Sequence, residues 1–442
     1  MKKLAILYCL LFLVSSCDVL DVQPQSSIPA SEAFKDKTGI ERGILGAYSG
    51  LQSLSYYGRT YLIFSDLAGD NLVHPPNATS VNYAEVDNNA ILPENESVDG
   101  IWTAAYDAIN VTNNVIVQVP NIPDMTQAEK DKALAELYFI RALNHFNLLN
   151  YFGAIPIRIS PTVGVENINV PRDPVNEVYS QIVRDLEFAA LHLPVSSSIK
   201  TRACKHAATA LLARVALYQK DYAKAIEYAS DLIDGGEYDL LASYSAIFSA
   251  EKTAESIFEI DFTELDRNRI AEYNFPLTLN GRREVAPADE LLSKFTANDD
   301  RLAATIAYAG TLPYVIKYDD LGTGSDNVIV TRLAEMYLIR AEARAQTNGS
   351  LQAIQEDLNV IRNRVGLDDT TADTYPELLL AIEAERRLEL AFEGHRWFDL
   401  VRTGRAVEVL SMVNNINQTL FPIPLSELLA NNHPGMTQNP GY

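Results

Sequence analysis

The alternation of apolar and polar positions along the chain predicts helices over most of its length. Ile40, Ile44, Leu45, Tyr48 and Leu51 recur at three- and four-residue spacing, which places them on one helical face. Trp102, Tyr106, Ile109, Asn113 and Ile116 repeat the pattern. Asp173-Pro174 supplies an N-cap and a first-turn proline for an amphipathic helix through Val178, Ile182, Leu186 and Ala189, which ends before Pro194. Thr374 and Glu377 have capping-box spacing and open a long helix toward Phe392.

A weak internal repeat joins these helices into an architecture. Ala135-Glu136-Leu137-Tyr138-Phe139-Ile140-Arg141-Ala142 matches Ala334-Glu335-Met336-Tyr337-Leu338-Ile339-Arg340-Ala341, and Ala210 to Leu217 is a looser echo. The echo is followed by a tight turn at Lys220-Asp221 and a second helix ending at Gly235-Gly236. Small alanines at close contacts, aromatic wedges and a short turn are what a tetratricopeptide-like helical hairpin requires. Stacked hairpins bury a core that none could bury alone. The copies are irregularly spaced, so the predicted fold class is mostly α: a tetratricopeptide-like hairpin scaffold with irregular loop insertions and a few short strands.

The insertions read differently. Ala68 to Gly100 is polar, rich in Asn, broken by Pro75-Pro76 and without helical period. Phe258, Ile260 and Phe262 alternate with Glu259 and Asp261, a strand pattern. Thr263 to Arg283 is irregular and carries several Arg, Asn and Tyr. Tyr314–Tyr318 and Val328–Val330 are expected to pair across the Gly322-Thr323-Gly324 turn. Long irregular segments on a rigid scaffold are where binding residues concentrate.

The N-terminus changes the compartment. Met1-Lys2-Lys3 is followed by an apolar run from Leu4 to Val14. That run falls short of the ~20 residues needed to span a bilayer core and fits a cleavable leader. Val14-Ser15-Ser16-Cys17 then forms a lipobox, in which the Cys17 thiol receives a diacylglycerol and cleavage follows in front of it. Cys9 lacks small residues before it. The expected organisation is a leader over 1–16, a lipidated tether over 17–30 and one helical domain over 31–442. Two or three acyl chains, at ~0.8 kcal/mol per buried methylene, anchor a protein stably where one does not.

Composition narrows the partners. With 47% hydrophobic and 21% charged residues the chain is globular. A net charge of −22, with no basic cluster, excludes nucleic acid as a main partner. Once Cys9 is cleaved away and Cys17 acylated, Cys204 stands alone, so no internal disulfide is available. Cys204 near His206 is too few ligands for a metal and reads as a helix-packing residue. No metal or other cofactor is expected. Tyrosine is abundant, 22 against 2 Trp, and most of these rings are expected at core edges with wet hydroxyls.

No catalytic motif emerges. There is no Gly-x-Ser-x-Gly elbow, P-loop, Rossmann glycine pattern or His-Glu-x-x-His. Glu393, His395 and Asp399 lie close together, but Arg386, Arg387, Arg396 and Arg402 are at hand to pair with them, so a buried ion-pair and aromatic cluster is the expected arrangement. Asp299-Asp300, Asp319-Asp320 and Asp368-Asp369 are adjacent pairs. Adjacency does not set carboxylates ~5–10 Å apart across a glycosidic bond. No catalytic residue is assigned.

Several of these segments, in order, resemble the SusD/RagB family. They are Trp102 with Ala105-Tyr106, Ile109 and Asn113-Asn114; Arg141-Ala142-Leu143 to Tyr151-Phe152-Gly153 and Ile155-Pro156; and Arg332-Leu333-Ala334-Glu335 to Ala343. Leu358-Asn359 with Ile361-Arg362 and Arg364 to Gly366 follows. Glu385-Arg386-Arg387 through Phe392 to Leu400, Pro422-Ile423-Pro424 and Gln438 to Tyr442 complete the series. The resemblance implies a lipid-anchored outer-membrane protein, exposed at the surface, that captures glycan or sometimes peptide. It also implies a partner, a SusC-like TonB-dependent outer-membrane transporter. Asp18, just after Cys17, occurs in surface-export signals of this family.

Sugars are held by a flat apolar face with amide, carboxylate or guanidinium groups for their hydroxyls. Asp70, Asn71, His74, Asn82 and Tyr83 in the first insertion meet that demand, as do Arg267, Arg269, Tyr273 and Asn274 in the second. Tyr56 and Tyr57, beside Gly58-Arg59, are further candidates. The leading expectation is a glycan-binding receptor that hands its ligand to a transporter. The alternatives are a peptide-binding RagB-like receptor, a lipid-anchored glycan hydrolase, and a helical adaptor without a ligand.

Overall fold

The structure, a computed structural model, describes residues 30–164 and 167–442. The leader, Cys17 and nearly all of the tether lie outside the described residues. The scaffold is built from the helices Lys37–Ser49, Glu96–Ile116, Gln127–Phe152, Val175–His192, Lys205–Gln219 and Tyr222–Asp234, then Leu333–Gln346, Leu351–Asn363 and Tyr375–Glu389. Consecutive members pack side by side, and Leu333–Gln346 packs on both Tyr222–Asp234 and Leu351–Asn363. One apolar core runs from Ile40 to Met436, and a second joins Ala334, Leu338, Leu358 and Ile382. No helix among the described residues is long and apolar enough to cross a membrane.

The repeat marks a structural device. Arg141 donates to both oxygens of Asp185 at 2.8 Å, and Arg340, its counterpart, reaches Asp357 at 2.7 Å. In each case the aspartate sits on the following helix, so a charge-assisted fork ties the hairpin together. Arg214 in the looser echo bonds Glu335 at 2.6 and 2.7 Å. Its hairpin turns at Lys220, whose φ of 63° is left-handed.

Helix ends differ in detail from expectation. Asp173 does not cap: its carboxylate accepts from the Ile157 amide at 2.7 Å, and the helix starts at Val175 after Pro174. The Tyr375–Glu389 helix opens on Thr374 as expected but closes before Phe392. Phe392 and Gly394 have φ of 65° and 84°, which turns both amides onto the buried Asp66 carboxylate at 3.1 and 3.3 Å. That turn launches the short Arg396–Arg402 helix.

The strands are short and find other partners than the pattern suggested. Ser256–Ile260 pairs with Val328–Arg332, while Leu312–Val315 pairs with Ile306–Ala309 across a turn whose Gly310 has φ of 65°. A tight hairpin costs less closure entropy than spanning residues 319–327. The Asp320 carboxylate instead ties that segment to itself, accepting from the Thr323 and Ser325 amides. Glu259, which alternates with the apolar positions of its strand, is nonetheless buried and accepts from Asn327 and the Lys252 amide. The insertions also contain short helices, Val81–Asp87 and Ile270–Asn274.

Candidate functional site

Most of the residues chosen as sugar contacts turn inward. Tyr56 and Tyr57 are buried, and their hydroxyls share the Asn147 amide at 2.6 and 2.8 Å. Burial raises both phenols, Tyr57 to about 12. Neither ring offers a face to a ligand, because the segment after the first helix folds under Tyr61 and Tyr151. Tyr83 is buried against Phe64 and Tyr273. Tyr273 is itself covered by the guanidinium groups of Arg59 and Arg282, at 4.2 and 4.9 Å. Asn71 is buried between Asp66 and Arg387, and Asn274 bonds the Ile270 carbonyl of its own helix.

The other candidates are scattered. Half-buried Asn82 donates to Ser97, half-buried Arg269 pairs with Glu272, and exposed Arg267 reaches the Leu321 carbonyl. His74 Nδ1 lies 2.7 Å from the Glu284 carbonyl oxygen. The structure thus brings His74, Tyr83 and Tyr273 together, as a support under the two insertions.

What they support is a cleft of about 470 Å³. Leu72 and Val73 pair with Pro287 and Ala286, so the first insertion meets, edge to edge, the segment that directly follows the second. Val73, Pro76, Pro287, Pro313, Leu410 and Met412 supply apolar walls, and Asp70, Asp87, Asn89, Arg283, Asp289 and Glu290 supply polar groups. Asp70 is the one sequence candidate among them, and its carboxylate is already engaged by Arg396 (2.5 and 3.0 Å) and Arg387 (3.1 Å).

Arg283 stands out among these groups. Its backbone is left-handed, φ 49°, in a residue with a Cβ. Among the described residues its guanidinium has one partner, the Pro313 carbonyl at 2.8 Å, and burial lowers its pKa. Opposite in charge, Asp87 is raised by burial, partly offset by the His74 amide. The pattern of several Arg in the second insertion hinted at Arg283. Nothing local pointed to Asn89 or to the Leu410–Met412 wall.

The clustered acids of the C-terminal motif are ion-paired. Burial raises Glu393, but Arg332 and Lys317 outweigh it and hold the carboxyl at about 2. Asp399 is likewise held well below the carboxylate range by Arg386 and Arg402 against its burial. Burial pushes His395 down to about 4. Cys204 is a free, buried residue ahead of the Lys205–Gln219 helix.

Fold and cleft together place the chain among the SusD-type helical-scaffold proteins. Residues 314–419 match the SusD family, and residues 18–217 match the family described as starch-binding associating with outer membrane. Each half of the chain thus carries a match to a SusD-type family model. It is 28% identical to SusD-like protein P2 of Formosa agariphila over all of both chains. A SusD superfamily protein from Bacteroides vulgatus superposes with a TM-score of 0.85 at 21% identity, covering 92% of this chain and 100% of the other. A laminarin-binding SusD-like protein does so with 0.80 at 28% identity, again over 92% and 100%.

Proposed function

We propose that this protein is a cell-surface glycan receptor, held to the outer membrane by lipid on Cys17, that captures oligo- or polysaccharide and delivers it to a TonB-dependent transporter without cleaving it. The observation that carries the reading is the cleft itself: proline and aliphatic walls beside one under-used guanidinium and an amide, the mixture that sugar rings and hydroxyls require. The match of residues 18–217 to a starch-binding family model and the likeness to a laminarin-binding protein support the ligand class. Two of the cleft's four acids, Asp70 and Glu290, are engaged by arginine, which leaves those two poorly placed for proton transfer.

The test uses protein beginning just after Cys17. Incubation with laminarin, starch and a peptide library is expected to show binding to glycan and no release of reducing ends. Binding confined to peptides favours the RagB-like alternative, and reducing-end release favours the hydrolase. For the anchor, a palmitate analogue is expected to label the full chain and to leave Cys17→Ala unlabelled. Label on neither protein overturns the lipid assignment.

A further inference from the structure

The cleft does not end where its charged groups end. Asn89 lines it and also lines a second hollow of about 510 Å³, formed by residues 89–93, 414, 415, 417, 418, 441 and 442. Both volumes lie within the range of about 300–1,000 Å³ common for small-molecule sites. The two hollows therefore abut at one residue.

The chemistry changes across that residue. The cleft carries Asp87, Arg283 and Asp289, whereas no acidic or basic side chain lines the second hollow. Its polar groups are the amides of Asn414, Asn415, Asn417 and Gln418, set beside the half-exposed Tyr442 ring and the apolar Leu92 and Pro93. Amides both donate and accept, as a sugar hydroxyl does, and a tyrosine ring offers a stacking face.

The segment is shaped from within. Gln418 Oε1 accepts from the Asn414 amide at 2.7 Å, and its Nε2 donates to the Asn89 carbonyl at 3.1 Å, so the amide loop is tied to the shared residue. Asn89 is left-handed, φ 48°, and 6% exposed, and its Oδ1 has no hydrogen-bond partner. The exposed Asn417 side chain makes no hydrogen bond within the described residues, and the Tyr442 hydroxyl is engaged at the Leu420 carbonyl, 2.9 Å.

We infer that cleft and hollow form one groove, in which the second half receives the continuation of a neutral polysaccharide chain. The inference rests on the cleft being a glycan site and adds a selection for length: a chain long enough to pass Asn89 gains contacts that a trisaccharide in the cleft cannot reach.

The test is electrophoresis of wild type, Asn417→Ala, Tyr442→Ala and Arg283→Gly through gels containing laminarin or soluble starch, with laminaritriose and maltotriose titrated calorimetrically alongside. Tyr442→Phe, which keeps the ring, is the control, and melting curves check that each variant folds. Expected is an about tenfold rise in the polymer concentration needed for half-retardation in Asn417→Ala and Tyr442→Ala, equivalent to losing one good contact, with trisaccharide affinity unchanged. Unchanged retardation in both variants overturns the inference and leaves the glycan reading intact. Retardation that survives Arg283→Gly but not Tyr442→Ala overturns the single groove, because binding then does not run through the cleft. If neither polymer retards the wild type, both readings fall.

Discussion

Arg396 grips Asp70 with two nitrogens, at 2.5 and 3.0 Å, and so fastens the C-terminal motif to the first insertion 326 residues earlier in the chain. The approach is possible because Gly69 has no Cβ: one built there would meet Arg396 Cγ at 2.8 Å. Arg387 adds a contact to the Asp70 carbonyl at 2.7 Å. The cleft floor is therefore held by fold-marking residues, which explains why that motif is structural while lying next to a binding surface.

Replacing Arg396 by Ala leaves the half-buried Asp70 beside Arg387 alone. Unpairing a buried charge costs about 3–5 kcal/mol, and the remaining pair puts the expected loss near the lower end. A urea titration of Arg396→Ala checks it. An unchanged midpoint contradicts the role assigned to the pair.

Arg332 is the most heavily used cation in the core, reaching Glu255 at 2.8 Å, Glu389 at 2.6 Å and Glu393 at 2.8 Å. Lysine offers a point charge in place of a planar fork. Arg332→Lys is expected to cost about 5 kcal/mol and to lower soluble yield sharply, read by fractionation and far-ultraviolet circular dichroism. Full soluble yield with a wild-type melting curve is the contrary result.

Arg283→Gly separates binding from stability. Glycine adopts the local φ of 49° without strain, so stability is expected to hold or rise slightly. Glycan affinity is expected to fall about tenfold or more, since a hydrogen bond to a charged donor contributes about 1.5–3 kcal/mol. Calorimetric titration measures it, and undiminished affinity removes Arg283 from the site.

Stability should decline as pH falls below neutrality. Burial lowers His395 from 6.5 to about 4 and His145 to about 3, so in that interval the unfolded state binds more protons. Each contributes a slope of about 1.4 kcal/mol per pH unit between its unfolded and folded values, lost as pH falls. Asp66 works the other way: burial raises it from 3.8 to about 6, which favours the folded state over that window as pH falls and offsets one histidine. Urea midpoints between pH 7 and 4 are expected to drop in wild type, less steeply in His395→Gln, and more steeply in Asp66→Asn. Parallel slopes in all three refute the assignment.

Some of this was readable residue by residue. The spacing of Ile40, Ile44 and Leu51 records which side of a helix meets the core, and those side chains are buried, whereas Leu45, placed with them by the pattern, is exposed. The Glu136/Glu335 and Arg141/Arg340 correspondence exposed the hairpin repeat because each copy needs the same interhelical fork. The Arg386 and Asp399 partnership was anticipated from charge balance within a short stretch, and the two are joined at 3.0 Å.

The amino-acid order by itself determined the helical periodicity, the repeat, the acidic balance and the Cys17 motif, because each is written in neighbouring residues. Which face of Tyr56, Tyr83 or Tyr273 meets solvent was decided only in three dimensions, since a tyrosine in a polar loop satisfies its hydroxyl equally well inside or out. The cleft likewise needed the whole fold: Asn89, Arg283 and Met412 share no local pattern, and they converge because distant segments pair edge to edge on a scaffold locked by buried ion pairs.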